Sequence, residues 1–252
     1  MAKMPDNFVD LVVTSPPYDD LRTYNGYSFD FESVAKELFR ITKQGGVVVW
    51  VVGDATVNGS ETGTSFKQAL FFMQCGFNLH DTMIYAKNSY IPLTHNRYEQ
   101  QFEYMFVLSK GKPSTFNAIK QPCKTAGNKK DHKFNKHYEG SYSMRNRDGF
   151  AVVKAEKQKP NIWFYNVASN DKTKHNAPFP EQLANDHIIS WSNEGDLVYD
   201  PFMGSGTTAK MAILSNRKFI GSEISKEYCE IVEKRIADAN KKLVKESKDG
   251  NK

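Results

Sequence analysis

Short apolar runs alternate along the chain with amphipathic stretches, and glycine, proline or polar clusters separate them. Val9–Val13 is a brief apolar run that stops at Thr14-Ser15-Pro16-Pro17-Tyr18, where two prolines forbid a continuing ladder and start a loop. Over Asp30 to Ile41 the apolar positions Phe31, Val34, Ala35, Leu38, Phe39 and Ile41 fall mostly on one helical face, and Gly45-Gly46 is expected to end the helix. Val47–Val52 is apolar at every position, as a strand covered on both faces should be. A polar glycine-rich loop, Gly53 to Gly63, precedes a predicted helix over Ser65–Cys75 that Gly76 ends. Strands are predicted at Phe77–Tyr85 and Phe102–Leu108. Beyond Asn161-Ile162-Trp163 the pattern reads as loop, then helix at Pro180–Trp191, strand at Leu197–Tyr199, helix at Ala209–Leu214, strand at Phe219–Ser222 and a long helix at Lys226–Leu243. A charged tail, Val244–Lys252, is expected after it. Strands alternating with helices predict an α/β fold with a mostly parallel sheet.

Between Lys110 and Pro160 this periodicity fades, and charge takes over as the informative quantity. The whole chain of 252 residues carries 34 Lys and Arg against 29 Asp and Glu, a net +5. Residues 110–160 alone hold thirteen Lys and Arg against four Asp and Glu, a net +9, which leaves −4 for the rest. An acidic body with one basic segment points to a polyanion addressed by that segment. The expected division is therefore 1–109 and 161–252 as two halves of one domain, with 110–160 inserted between them.

Other classes fall away on composition. No apolar run reaches the roughly 18 residues a membrane span requires. The opening MAKMPDNFVD lacks the charged-then-apolar order of a secretory signal, so a cytoplasmic location is the expectation. Cys75, Cys123 and Cys229 are odd in number and far apart, offering neither a disulfide framework nor a metal cluster.

Two motifs carry chemistry. In Asp200-Pro-Phe202-Met-Gly204-Ser-Gly206-Thr-Thr, a strand runs into glycines and then a helix. Glycine allows a tight turn and a close approach to a ligand, and the helix start adds a positive dipole end. Glu223 lies about twenty residues on, where nucleotide-binding α/β folds place an acid for ribose hydroxyls. No lysine follows the glycines, which argues against a triphosphate. In the second motif, Ser15-Pro16-Pro17-Tyr18, the prolines remove two backbone donors and leave carbonyls that only accept. Rigid acceptors beside an aromatic ring suit a planar group bearing an exocyclic NH2. Pro122-Cys123 superficially matches a nucleophilic cysteine dipeptide, but nothing catalytic surrounds it, and it reads as an ordinary thiol.

Together these motifs resemble the DNA amino-methyltransferases that use S-adenosyl-L-methionine (AdoMet) to methylate adenine N6 or cytosine N4. The order, base-holding motif first and cofactor loop last, is similar to their circularly permuted β-type arrangement. His175-Asn-Ala-Pro178-Phe179-Pro180 and the Phe102–Val107 strand with its Ser109-Lys-Gly-Lys112 sequel also resemble that family. The resemblance implies a Rossmann-like AdoMet-dependent methyltransferase fold with a basic DNA-recognition insertion. It implies that Asp200, Phe202, Gly204 and Gly206 hold AdoMet, that Glu223 takes its ribose, and that Pro178 and Phe179 line its methionine end. Ser15, Pro16, Pro17 and Tyr18 would hold a base flipped from the duplex. Lys129, Lys130 and Lys133 would meet phosphates, and Arg145 and Arg147 base edges.

Serine before Pro-Pro-Tyr is the form this family uses mostly on cytosine N4, so cytosine is favoured over adenine. A restriction endonuclease is a conceivable partner, and monomer and dimer stay equally open. Family members also carry a Gly-Asp segment upstream of the first strand. The few residues before Val9 do not match it, so either the chain is a short form or the sequence begins late, and the expectation of a full adenine pocket is open on both readings. The competing readings are an RNA base or a glutamine amide as methyl acceptor and, in another class, a non-catalytic nucleic-acid-binding module.

Overall fold

A computed structural model describes residues 1–17, 29–90, 92, 96–127, 129–130, 151–166 and 180–249. In chain order the elements are β1 (Val9–Thr14), α1 (Phe31–Ile41), β2 (Thr42–Val52), β3 (Thr56–Val57), β4 (Ser60–Glu61), α2 (Thr64–Gln74), β5 (Asn78–Lys87) and β6 (Phe102–Ser109). They continue with β7 (Lys120–Pro122), β8 (Lys129–Lys130), β9 (Ala151–Val152), β10 (Glu156–Gln158), β11 (Ile162–Tyr165), α3 (Glu181–Trp191), β12 (Leu197–Asp200), α4 (Thr207–Leu214), β13 (Lys218–Gly221) and α5 (Lys226–Asp249). Contacts divide the chain into two units, one of residues 1–117 with 161–252 and one of residues 118–160.

The larger unit is built on a seven-stranded sheet in the order β11-β5-β6-β2-β1-β12-β13. Only β6 runs antiparallel to its neighbours, so the sheet is mostly parallel, as the alternating pattern predicted. Side-chain alternation splits β2 cleanly. Val48, Trp50 and Val52 join Leu38 and Ile41 of α1 and Ala69 and Phe72 of α2 in one core layer. The opposite face meets α3, where His187 Nε2 lies 3.2 Å from Met105 Sδ of β6. Asp30 caps α1 by accepting from Ser33 N.

Three boundaries differ from the sequence reading. β2 begins at Thr42, ahead of Gly45-Gly46. Its register against β1 jumps from Val9↔Thr42 to Leu11↔Val47, so a bulge absorbs the glycines that were expected to end the preceding helix. Gly45 is left-handed at φ +79°, and a Cβ on Gly46 would strike the Asp10 carbonyl at 2.9 Å, so the bulge requires both glycines. Residues 162–165, read as the edge of a loop, form the outermost strand because they pair in parallel with Ile84–Lys87. The charged tail is largely helix, since α5 runs on to Asp249.

The smaller unit, residues 118–160, has its own pairing. β7 runs antiparallel to β10, and β8 to β9. The periodicity lost at Lys110 therefore marks a change of composition, while the structural boundary falls eight residues later, after Asn117 turns back to hydrogen-bond the Ser190, Ile189 and Ser192 carbonyls around the end of α3.

Candidate active site

Strand order reverses between β1 and β12. The chain leaves β1 for β2 on one side, whereas β12 lies on the other side and leads on to β13. The carboxyl ends of β1, β2, β12 and β13 thus share one edge of the sheet, with a crevice at the switch point. Ser15-Pro16-Pro17 leaves β1 there, with Pro16 buried and Ser15 and Pro17 half-buried. Beside it, β12 ends at Asp200 and opens the glycine loop.

The two strand ends are joined by a buried hydrogen bond. Thr14 Oγ1 donates to Asp200 Oδ1 at 2.6 Å, and the same oxygen accepts from Phe202 N at 3.0 Å. Thr208, in the first turn of α4, gives its proton to the Val13 carbonyl at 3.2 Å and lies within hydrogen-bonding reach of Asp200. Asp200 is almost fully buried. Desolvation pushes its carboxyl up to about 6, against the lowering effect of Thr14, Phe202 N and the neighbouring Thr208, and the nearby Glu223 charge adds to the rise.

The glycine loop is folded by its own backbone. Gly206 N bonds to the Met203 carbonyl at 2.8 Å and Met203 N to the Ser222 carbonyl at 3.0 Å. Gly204 and Gly206 are left-handed, at φ +51° and +82°. A Cβ on Gly206 would also press on Val232 of α5 at 3.0 Å. Glu223, just past β13, accepts from Gly204 N at 2.7 Å through Oε2, and from Ile224 N at 2.9 Å and Ser225 N at 2.8 Å through Oε1. A carboxylate offers about four acceptor directions, and among the described residues these three donors fill three of them. Phe202 is half-buried, its ring edge-on to Phe29 at 5.1 Å and to Trp50 at 6.2 Å.

A second tether reaches the loop from behind. Arg235 of α5 donates to the Ser205 carbonyl at 3.0 Å and to Ser205 Oγ at 2.9 Å. Its other nitrogen pairs with Glu181 of α3 at 2.7 Å, and Lys210 of α4 pairs with the same carboxylate oxygen at 2.6 Å. Burial alone would raise the Glu181 carboxyl, but Lys210 and then Arg235 hold it below the ordinary value.

Ser15, Pro16 and Pro17 are thus brought beside Asp200, Phe202, Gly204, Gly206 and Glu223. Tyr18, Pro178, Phe179, Lys133, Arg145 and Arg147 lie outside the described residues, and of Lys129 and Lys130 only the backbone is described, as β8 in the smaller unit. Asp54, just past the end of β2, is spent on structure: its carboxylate accepts from Ser65 N at 2.8 Å and Ser65 Oγ at 2.5 Å, tying down the start of α2. His80 is exposed on β5, edge-on to Trp191 at 5.4 Å. Sequence reasoning missed Thr14, Thr208, Glu181 and Arg235. Thr14 and Thr208 adjoin the two motifs, but no local pattern reveals that they meet the other strand. Nothing in the sequence marks the other two.

Comparison with known proteins fits this geometry. The family model for N6/N4-type DNA methylases matches residues 9–234. The chain belongs to that family. It is 57% identical over 247 residues to the orphan methyltransferase M.BamHII of Bacillus amyloliquefaciens, covering 92% of this chain and 89% of that one. It is 30% identical over 243 residues to the type II methyltransferase M.BglII of Bacillus subtilis, covering 92% of this chain and 64% of that longer protein. Among solved structures it is similar to TTHA0409 of Thermus thermophilus, complexed with S-adenosyl-L-methionine, at 25% identity and TM-score 0.61 over 94% of this chain and 90% of that one. The cytosine-N4-specific PvuII DNA methyltransferase shares the fold at TM-score 0.69 and 20% identity, over 97% and 88% of the two chains. The chain is therefore a DNA methyltransferase of the N4/N6 type with the expected α/β architecture.

Asp200 gives a signed prediction. Its folded value, about 6, lies above the ordinary 3.8, so the buried charge destabilises the fold at neutral pH, and that cost disappears as pH falls through 6. Asn keeps the oxygen that accepts from Thr14 and Phe202 N, and its amide can donate to Thr208. The stability gain of Asp200→Asn over wild type, from urea unfolding, should grow from near zero at about pH 4 towards about 3 kcal/mol at about pH 7.5. Parallel stability curves across that range would rule the buried charge out.

Proposed function

We propose that this methyltransferase transfers a methyl group from AdoMet to the N4 amino group of cytosine in DNA. The supporting observation is the placement of Ser15-Pro16-Pro17 at the carboxyl end of β1, directly beside the strand that ends in the glycine loop. Bound AdoMet supplies an electrophilic methyl group on a sulfonium centre. The fit of the loop to it rests on the chain's own features. Gly204 and Gly206 turn where a side chain would be strained, Glu223 accepts from three backbone donors of the described residues and can accept one more, and Phe202 presents an apolar ring at the loop.

The remaining chemistry is alignment. Pro16 and Pro17 carry no N–H, so the turn presents oxygen acceptors to an exocyclic NH2 and no competing backbone donor from those two residues. Acceptors on the amino hydrogens orient the nitrogen lone pair and stabilise the positive charge that grows on it as the new bond forms. No covalent enzyme intermediate is needed, in keeping with a site that presents acceptors rather than an activated nucleophile. Ser15 is the feature that favours cytosine over adenine, and Tyr18 is proposed to stack on the flipped base.

The 118–160 unit is proposed as the element that reads DNA, with Lys129, Lys130 and Lys133 on phosphates and Arg145 and Arg147 on base edges. It contains most of the net positive segment and is a separate unit, so its surface can vary without disturbing the sheet.

Nucleoside mass spectrometry after incubation of the enzyme with labelled AdoMet and duplexes of only A/T, only G/C or mixed sequence tests the target. The reading predicts N4-methylcytosine from mixed-sequence and G/C duplexes. N6-methyladenine alone would transfer the reading to adenine. Replacing Lys129, Lys130 and Lys133 together by Gln should weaken DNA binding and reduce the slope of log affinity against log salt by about 3. An unchanged slope would remove those lysines from the interface.

A further inference from the structure

We propose that Tyr98, with the β3–β4 hairpin beside it, is the wedge that enters the DNA stack where the target base leaves it. The inference rests on the reading of Ser15-Pro16-Pro17 as the turn that holds that base. Strand directions put three segments along one edge of the sheet. β1 and β2 are parallel, and β6 runs antiparallel to both β2 and β5. The carboxyl ends of β2 and β5 and the amino end of β6 therefore share the edge from which the acceptor turn leaves β1. Residues 56–61, the hairpin, follow β2 there, and residues 88–101 lead from β5 to β6 there. In the sheet, β2 lies on one side of β1 and β12 on the other. The acceptor turn is thus flanked by the glycine loop on its β12 side and by the hairpin on its β2 side. With AdoMet assigned to the glycine loop, the DNA strand that delivers a base to the turn has the β2 side to run along.

Both segments are firmly built at the base and open at the tip. In the hairpin, Thr56 pairs with Glu61 and Val57 with Ser60, and Thr62 N bonds to the Ala55 carbonyl at 2.9 Å. Asn58-Gly59 closes it as a left-handed two-residue turn, at φ +49° and +78°. A Cβ added to Gly59 would meet nothing within 4 Å. In the other segment, Lys87 N bonds to the Gln101 carbonyl at 2.8 Å and Gln101 Nε2 to the Lys87 carbonyl at 2.8 Å, which closes the neck of the loop. Arg97 Nη2 donates to the Gly59 carbonyl and fastens the loop to the hairpin tip. The next residue, Tyr98, is fully exposed, and Val57 of the hairpin is 55% exposed.

The residue types here select stacking over phosphate holding. Among the described residues of 53–64 and 87–103, Lys87 and Arg97 stand against Asp54, Glu61, Glu99 and Glu103. Lys87 is also paired with Glu103 at 2.8 Å. No cationic row forms, so the phosphates find little to hold them on this side. What the segments offer is a ring and an apolar side chain on a braced support. A base that flips out leaves a gap in the stack and an unpaired partner, at a cost of a few kcal/mol. Proteins that open a base step offset that cost with an inserted apolar wedge. Every base has a π-face, so a tyrosine ring serves at any sequence. Tyr98 therefore acts independently of whatever sequence the 118–160 unit reads.

Methyl transfer at limiting DNA and saturating AdoMet reads the outcome on two duplexes. One carries a sequence that the enzyme methylates, and the other is the same duplex with the base opposite the target removed. On the paired duplex, Tyr98→Ala should slow transfer by about 10- to 100-fold. On the duplex whose target is already unpaired, the loss should shrink to within about 3-fold of wild type, because no pair has to be opened. Tyr98→Phe keeps the ring and should stay within about 3-fold of wild type on both. Circular dichroism and AdoMet binding by calorimetry establish that the variants are folded. The ratio is read on whichever amino base is methylated, so a target of adenine in place of cytosine leaves this outcome readable. Three results would each overturn the inference. One is Tyr98→Ala matching wild type on the paired duplex, which would leave this surface to a protein partner. The second is an equal loss on both duplexes, the mark of a general DNA contact. The third is a Phe variant as impaired as the Ala variant.

Discussion

The contact on which the site depends is the buried hydrogen bond from Thr14 to Asp200. It joins the last residue of β1 to the last residue of β12, the two strands between which the sheet changes direction. The acceptor turn begins one residue after Thr14, and the glycine loop begins with Asp200 itself. The Thr208 to Val13 bond, and the bond from the Phe202 N–H to Asp200 beside it, repeat the tie from the helix and from the loop. The acceptor turn and the glycine loop, from opposite ends of the sequence, are thereby fixed against one another by a bond buried beneath both. Holding a charged carboxyl there costs stability, which the raised Asp200 value expresses. Some destabilisation in exchange for fixed geometry is common at functional sites.

The glycine loop is over-determined in the same way. Glu223, just past β13, binds it, Arg235 binds it from α5, and Glu181 of α3 pairs with both Arg235 and Lys210 of α4. Such pairs contribute little to global stability when exposed. Their value here is directional, because each limits how far Gly204–Gly206 can move. Pre-organisation of this kind suits a direct methyl transfer, in which alignment of nitrogen and methyl carbon supplies much of the rate.

Much of this was readable from the residues alone, for physical reasons. Val47–Val52 can only be a doubly covered strand, and the Ser15-Pro-Pro-Tyr18 and Asp200–Thr208 motifs each impose a backbone shape and a pattern of donors and acceptors. Three features were not readable. Gly45-Gly46 looks like a helix stop, because a bulge is defined by the partner strand's register and not by local sequence. Ile162–Tyr165 is too short to stand out, and it becomes a strand only because β5 offers it an edge. Arg235 and Glu181 are ordinary surface-type residues in amphipathic helices, and their meeting at Ser205 depends on how α3, α4 and α5 pack.

The most direct test of this account is single-turnover methyl transfer by Thr14→Val with both ligands saturating. Valine keeps the shape and strand preference of threonine and removes only the donor. The account predicts that the transfer step slows about 10- to 100-fold while AdoMet affinity changes by less than about 3-fold, because the variant misplaces two loops without removing a ligand contact. A transfer rate within about 2-fold of wild type would contradict the claim that this tie aligns the two halves of the site.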